Sequence, residues 1–143
     1  MNKLFSIFFV SLILAGCKGE AVEEIVERFP DGSEKLVRYY IEDGQVRELT
    51  KEIKYYPNHK KYYEGEFRDN HKDGKWTVWY ENGNVWSEGF FKKGMDDGLR
   101  TGYHENGKKH FQGNYREGKM VGKWVFWDEG GKQVQEVDYD KKK

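Results

Sequence analysis

From residue 29 onward, short segments rich in Tyr, Trp, Phe, Val and Thr alternate with brief polar breaks. Aromatic and β-branched residues favour a pleated, half-buried surface, so the segments predict strands. The breaks fall at Pro30-Asp31-Gly32, Glu42-Asp43-Gly44, Pro57-Asn58-His59, Glu81-Asn82-Gly83, Glu105-Asn106-Gly107 and Gly130-Gly131. Asn-Gly and Gly-Gly predict two-residue type I′ hairpin loops, whose central positions both take positive φ. No helix signal of useful length follows residue 17. Residues 20–28 fit a short helix by composition, and the alternation of Leu36, Arg38 and Tyr40 after the first turn makes a first strand equally good.

The pattern repeats. Gly65, Gly89 and Gly113 stand 24 residues apart, each in a similar setting, as in Tyr63-Glu64-Gly65-Glu66-Phe67 and Phe111-Gln112-Gly113-Asn114-Tyr115. Gly74, Gly98 and Gly122 keep the same step, and so do Tyr55, Trp79, Tyr103 and Trp127. A period of this length indicates stacked supersecondary units. With Asn82-Gly83 as the loop, Trp79 faces Trp86 and Trp76 faces Gly89, where a missing side chain leaves room for the indole. Moved by one period, Gly113 faces Arg100 and Tyr103 faces His110, which predicts weaker stacking in the middle unit. Gly94 falls in a long loop from Lys92 to Asp97.

Neither face of this sheet is cleanly apolar. One carries Trp76, Val78, Tyr80, Val85, Ser87, Gly89 and Phe91; the other carries Lys75, Thr77, Trp79, Trp86, Glu88, Phe90 and Lys92. A β-sandwich needs a continuous hydrophobic side to bury against a second sheet. The chain is therefore expected to be all-β, an elongated antiparallel hairpin meander of 24-residue units.

The first residues follow different physics. Lys3 precedes an apolar run from Leu4 to Leu14, closed by Ala15-Gly16, the plan of an export signal. The run is shorter than the roughly 20 residues that span a bilayer. Cys17, the one cysteine in the chain, follows at once. Leu14-Ala15-Gly16-Cys17 resembles the lipobox of bacterial lipoproteins, which implies cleavage before Cys17, acylation of its thiol and a membrane as partner. The expected organisation is a signal peptide over 1–16, a tether and possible first strand over 17–28, a degenerate hairpin cap over 29–54, the repeat array over 55–139 and a basic tail over 140–143.

Composition narrows the chemistry. Aromatics are 17% of the sequence, charged residues 35%, and the formal net charge is zero. A balanced charge supplies no field to draw in nucleic acid. A lone cysteine permits neither an internal disulfide nor a cysteine zinc site.

Gly74-Lys75-Trp76, then Trp79-Tyr80-Glu81-Asn82-Gly83 and Glu88-Gly89-Phe90-Phe91-Lys92, resemble the bacterial variant of the MORN (membrane occupation and recognition nexus) repeat, often grouped as YwqK-type antitoxin-like proteins. Gly122-Lys123-Trp124 and Trp127 continue it; Gly98-Leu99-Arg100 lacks the tryptophan, and Gly130-Gly131 replaces Asn-Gly. The resemblance, over residues 55–139, implies a hairpin array used for contact with proteins or membranes, and its antitoxin-like label implies a partner.

Candidate chemistry is sparse. Asp96 and Asp97 are adjacent carboxylates, whereas a glycosidase pair must be held across a cleft. Glu81 and Glu105 precede turns. His59, His71, His104 and His110 show no close metal-ligand spacing. No serine nucleophile elbow or phosphate-cradling glycine run is present. The chain reads as non-catalytic, with no metal or cofactor. Trp76, Trp124, Phe67, Phe91 and Tyr115, on the glycine-bearing face, read as packing. Tyr62, Trp79, Trp86 and Phe90, rimmed by Lys75, Glu64 and Glu88, form the candidate patch for an unidentified protein partner. Two functions fit: a lipid-anchored envelope protein that docks another protein, or an immunity protein that covers a toxin, with a glycan-processing enzyme a distant third.

Overall fold

The computed structural model describes residues 19–141, so Cys17, the apolar leader and the last two lysines lie outside the described residues. Eleven strands follow one another: β1 (Glu20–Arg28), β2 (Glu34–Asp43), β3 (Val46–Tyr55), β4 (Lys61–Arg68), β5 (His71–Trp79), β6 (Val85–Lys92), β7 (Met95–Asp96), β8 (Gly98–Tyr103), β9 (Lys109–Arg116), β10 (Lys119–Trp127) and β11 (Gln133–Asp138). Neighbours in sequence are neighbours in one open antiparallel sheet, with the short β7 pairing only with β6. Residues 20–28, the segment that also fits a helix, are a strand whose Ile25 faces Val37.

Two kinds of turn alternate along the meander, and they correct the predicted register. At Phe29–Ser33, Tyr56–Lys60, Tyr80–Asn84, His104–Lys108 and Asp128–Lys132 the first N–H donates to the fifth carbonyl and the fourth N–H to the first carbonyl, at 2.8–3.0 Å. These are three-residue loops, in which a type I turn is followed by one left-handed residue. That residue is Gly32, His59, Gly83, Gly107 and Gly131 in turn; Asn82 keeps negative φ. Asn82 is held there because its Oδ1 accepts the Asn84 N–H at 2.8 Å, an Asx turn that leaves only Gly83 left-handed. The extra loop residue shifts the pairing, so Trp79 faces Val85 and Tyr103 faces Lys109, in place of Trp86 and His110. Beyond the bulge the expected Trp76–Gly89 and Arg100–Gly113 pairs are present.

The type I′ turns lie at the opposite ends of the strands. Asp69-Asn70, Lys93-Gly94 and Glu117-Gly118 have positive φ at both residues and connect Arg68 to His71, Lys92 to Met95 and Arg116 to Lys119. The stretch from Lys92 to Asp97 is thus a tight hairpin where a long loop was expected. With φ +84°, Gly94 disfavours a β-branched replacement.

The two glycine registers answer two different demands. Gly74, Gly98 and Gly122 have φ of +99°, +110° and +62° at interruptions of the ladder, where Gly74 and Gly122 sit in bulges. Gly65 and Gly113 are needed for space: a Cβ on either would land inside the indole of Trp76 or Trp124 respectively. The sequence had placed Trp76 over Gly89. Instead the ring leans back across the preceding hairpin, where its Nε1 donates to the Glu66 carbonyl at 3.0 Å. Gly89 lies against the aliphatic stem of Arg100, the residue that stands where the flanking units have tryptophan.

The core changes face along the sheet. Val37 and Ile53 are cross-strand partners, both buried. Their rung continues through Glu64, Thr77, Glu88, Thr101 and Gln112 to Val125 and Glu136. Trp76 and Trp124 are buried on the opposite face. There Trp76 meets Tyr63, Phe67 and Phe91, and Trp124 meets Phe111, Tyr115 and Tyr139, at centroid separations of 5.1–6.2 Å. On that same face under β2–β4 lies a polar group instead: Arg38 Nε donates to buried Glu52 at 2.7 Å, and Tyr63 Oη donates to its other oxygen at 2.6 Å. This exchange of sides is why neither face reads as continuously apolar.

Candidate interaction surface

The face opposite Trp76 and Trp124 is built on the Glu64–Thr77–Glu88–Thr101–Gln112 rung, and each carboxylate in it is neutralised locally. Glu64 faces Lys51 Nζ at 2.5 Å and also meets Lys61. Burial raises the Glu64 pKa, and the hydrogen bonds from Lys51 and Lys61 outweigh it, so the net shift is downward. Glu88 takes Lys75 Nζ at 2.9 Å and the Tyr103 hydroxyl at 2.9 Å. Those two bonds hold its carboxyl below the ordinary glutamate range; burial, then Glu88, raises the Tyr103 phenol. Gln112, which stands where Glu64 and Glu88 stand in the earlier units, donates to Thr101 Oγ1 at 3.1 Å.

Alternation from this rung puts Tyr62, Trp79, Trp86 and Phe90 on the same face. They do not form one cluster. Trp86 is 46% exposed and Phe90 47%, on either side of Glu88 in β6. Trp79 and Tyr62 are half-buried: Lys61 Nζ stands 5.8 Å from the Trp79 ring, and Tyr62 lies between Tyr56 and Tyr63. Trp86 occupies the bulge opposite Trp79 and turns its ring toward Tyr80, at 6.2 Å, so the predicted Trp79–Trp86 ring pair is replaced by Trp86–Tyr80.

Two further exposed apolar side chains escaped sequence reasoning: Met95, 46% exposed, and Leu99, 44%. The replacement of Gly-Lys-Trp by Gly98-Leu99-Arg100 was visible as a tryptophan lost. It is equally a leucine gained where the neighbouring units place Lys75 and Lys123.

The three-residue turns form an edge ladder that was not foreseen either. Asn58, Asn82 and Asn106 donate through Nδ2 to the carbonyls of Glu81, Glu105 and Glu129, each in the next turn, at 2.9–3.2 Å. Tyr56, Tyr80 and His104 reach the carbonyls of Trp79, Tyr103 and Trp127 at 2.8–2.9 Å. Asparagine is used because one side chain closes its own turn and ties it to the next. His104 and His110, which sequence left apart, lie with ring centroids 4.3 Å apart and tilted by 33°, in the place of the Tyr56–Tyr62 and Tyr80–Trp86 ring pairs. Among the described residues no three potential metal ligands come together. Asp96 pairs with Arg100, and Asp97 accepts the Glu117 N–H at 3.3 Å, as Asp73 accepts that of Lys93 at 3.2 Å. Those acids serve the turns.

No curated protein matches the chain. Residues 72–93 and 96–117 each match the family model described as the MORN repeat variant. These are two consecutive units, each running from β-strand through three-residue turn to β-strand and ending at the next type I′ turn. Strands β4 and β10, outside the matched residues, keep the same glycine and turn geometry. Two consecutive units of the chain are thus similar to the MORN repeat variant, within an open meander sheet whose units repeat their turns and vary the side chains on their exposed face.

Proposed function

We propose that this is a lipid-anchored protein of the bacterial cell envelope whose repeat sheet docks another protein, with no chemistry of its own. The observation that supports docking most directly is the pair Trp86 and Phe90, each nearly half exposed on an open sheet face. Large aromatics among charges are the composition of contact surfaces. Attachment is placed at Cys17 by the Leu14-Ala15-Gly16-Cys17 sequence. Among the described residues no helix is long and apolar enough to cross a membrane.

Affinity capture of the intact protein from its own membranes tests the docking. A retained protein that is lost with Trp86→Ala, while the variant keeps its fold, supports it; full retention by Trp86→Ala returns the ring to packing. Anchoring has its own test. Each acyl CH₂ contributes about 0.8 kcal/mol to membrane affinity. Cys17→Ser is expected to abolish fatty-acid labelling and release the protein from membranes washed in high salt; persistence of both would remove the lipoprotein reading.

A further inference from the structure

Three seams of the sheet repeat one another at 24-residue steps: β4 against β5, β6 against β7–β8, and β9 against β10. Each is a control for the others, and the middle one differs. At the first, Trp76 of β5 reaches back to Tyr63 and Phe67 of β4, at centroid separations of 5.7 and 5.4 Å. At the third, Trp124 of β10 meets Phe111 and Tyr115 of β9 at 5.9 and 5.1 Å. Each indole also donates across its seam, to the Glu66 and Asn114 carbonyls respectively. At the middle seam Arg100 stands in the place of the tryptophans, and Ser87 in that of Tyr63 and Phe111.

Neither replacement restores what the rings supply. The Arg100 guanidinium donates to Asp96 on its own side of the seam, in β7. Phe91, the ring that β6 keeps on this face, lies 5.8 Å from Trp76 in the strand behind it and meets the Arg100 guanidinium at 5.9 Å across the seam. Among the described residues no ring contact passes from β6 to β7 or β8. The strand itself is interrupted there: β5 and β10 run unbroken past Gly74 and Gly122, whereas the equivalent strand divides at Asp97 into β7 and β8. Bonds at the three-residue turns do not compensate, because every seam has one: Tyr80 to the Tyr103 carbonyl in the middle, Tyr56 to that of Trp79 and His104 to that of Trp127 on either side. The centre gains the bond from Tyr103 Oη to Glu88 at 2.9 Å. One bond to a carboxylate returns less than the burial of an indole.

We infer that the sheet is built as two blocks, β1–β6 and β7–β11, which part at the seam between them while each stays folded. Each block keeps buried side chains of its own: Leu36, Val37, Ile53 and Trp76 in the first, Trp124 in the second. Opening below the level of global unfolding follows boundaries that few apolar contacts cross. Parting releases the pairs Ser87–Gly102 and Glu88–Thr101 and gives an otherwise continuous sheet a hinge at its centre. Opening of this kind needs no partner and is independent of the docking function.

Hydrogen exchange of the folded protein, followed residue by residue by NMR in rising sub-denaturing urea, measures the three seams in one sample. The seam-facing amides of Ser87–Gly89 and Arg100–Gly102 are expected to exchange at least about tenfold faster than those of Tyr63–Gly65 with Trp76–Val78 and of Phe111–Gly113 with Trp124–Phe126. Their urea dependence is expected to be shallower than that of global unfolding, because parting two edges exposes little surface. Asp96→Lys with Arg100→Trp copies Lys72 and Trp76 of the first seam. Gly89 leaves room for the new indole, since the nearest atoms to its missing Cβ belong to the Arg100 stem that the substitution removes. This repair variant is expected to slow exchange at the middle seam by about tenfold.

Equal protection at the three seams, or exchange at the middle one only with the urea slope of global unfolding, would overturn the two-block assignment. A repair variant that fails to fold, or that folds with the middle seam exchanging as fast as before, would overturn the cause given for it, the missing indole.

Discussion

Gly113→Ala and Gly89→Ala differ by one period of the repeat and should differ widely in cost. Neither glycine has positive φ, so alanine suits both backbones, and its smaller unfolded-state entropy favours folding by about 0.4–1 kcal/mol. At Gly113 the new methyl occupies the place of the Trp124 indole, which is only 2% exposed. The ring must leave, losing its burial and the Nε1 bond to the Asn114 carbonyl at 3.2 Å. Deleting a buried tryptophan outright costs about 3–5 kcal/mol. Partial displacement, offset by the entropy term, gives a net loss of about 2–4 kcal/mol. For a domain of this size that lowers the melting temperature by about 10 °C. At Gly89 the methyl meets the Arg100 Cγ at 3.3 Å, and this flexible stem shifts aside, so the expected change is within about 1 kcal/mol. Thermal melts followed by near-ultraviolet circular dichroism measure both stability and tryptophan packing. Equal losses for the two variants, or a larger one at Gly89, would refute the assignment of Trp124 to Gly113 and return the indoles to the strand on the other side.

Three smaller effects follow from the turns and the polar rung. Glu117→Asn places Asn-Gly in an observed type I′ turn, where Glu117 now holds φ +50°, and should raise stability by up to about 1 kcal/mol in urea unfolding. Asn106→Ala removes the bonds to the Lys108 N–H and the Glu129 carbonyl, and should cost about 1–2 kcal/mol with faster amide exchange in the 128–132 turn than in the 80–84 turn. The folded-state pKa of Glu88 is lowered, so its pairing stabilises above the unfolded carboxylate value of about 4.3 and is lost as pH falls through the folded value. Glu88→Gln should therefore be the less stable protein at neutral pH, by less than about 1 kcal/mol for so exposed a pair, and the gap should close in acid; a gap that widens in acid would contradict the assignment.

Much of this architecture could be read from spacing. The period, the meander and the all-β class follow from glycines and aromatics kept in step, because each unit solves the same steric problem. Trp79 illustrates where the reading stopped. Asn-Gly admits both a two-residue and a three-residue loop, and the choice was made by the Asn84 N–H donating to Asn82 Oδ1 and by Asn82 Nδ2 donating to the Glu105 carbonyl, the second of which no local propensity contains. One added loop residue moved the Trp79 partner from Trp86 to Val85. The indole of Trp76 shows a second limit: pairing allowed Gly65 or Gly89 beneath it, and side-chain direction settled on Gly65. Exposure of Leu99 was accessible in principle, since its counterparts Lys75 and Lys123 are charged.

The order of the strands also fixes how the sheet responds to force. Its first and last strands are its two edges, and antiparallel hydrogen bonds run across the strands, along the direction that joins those edges. Tension between the two ends would peel strands away in succession, bond by bond, at low force and with gradual extension, whereas strands pulled along their own length must break all their bonds together. If the chain is tethered before β1 and gripped through Trp86 and Phe90 in β6, the strain falls on the β1–β6 half alone, and β9–β11 remain folded beyond the grip as a slack, intact end.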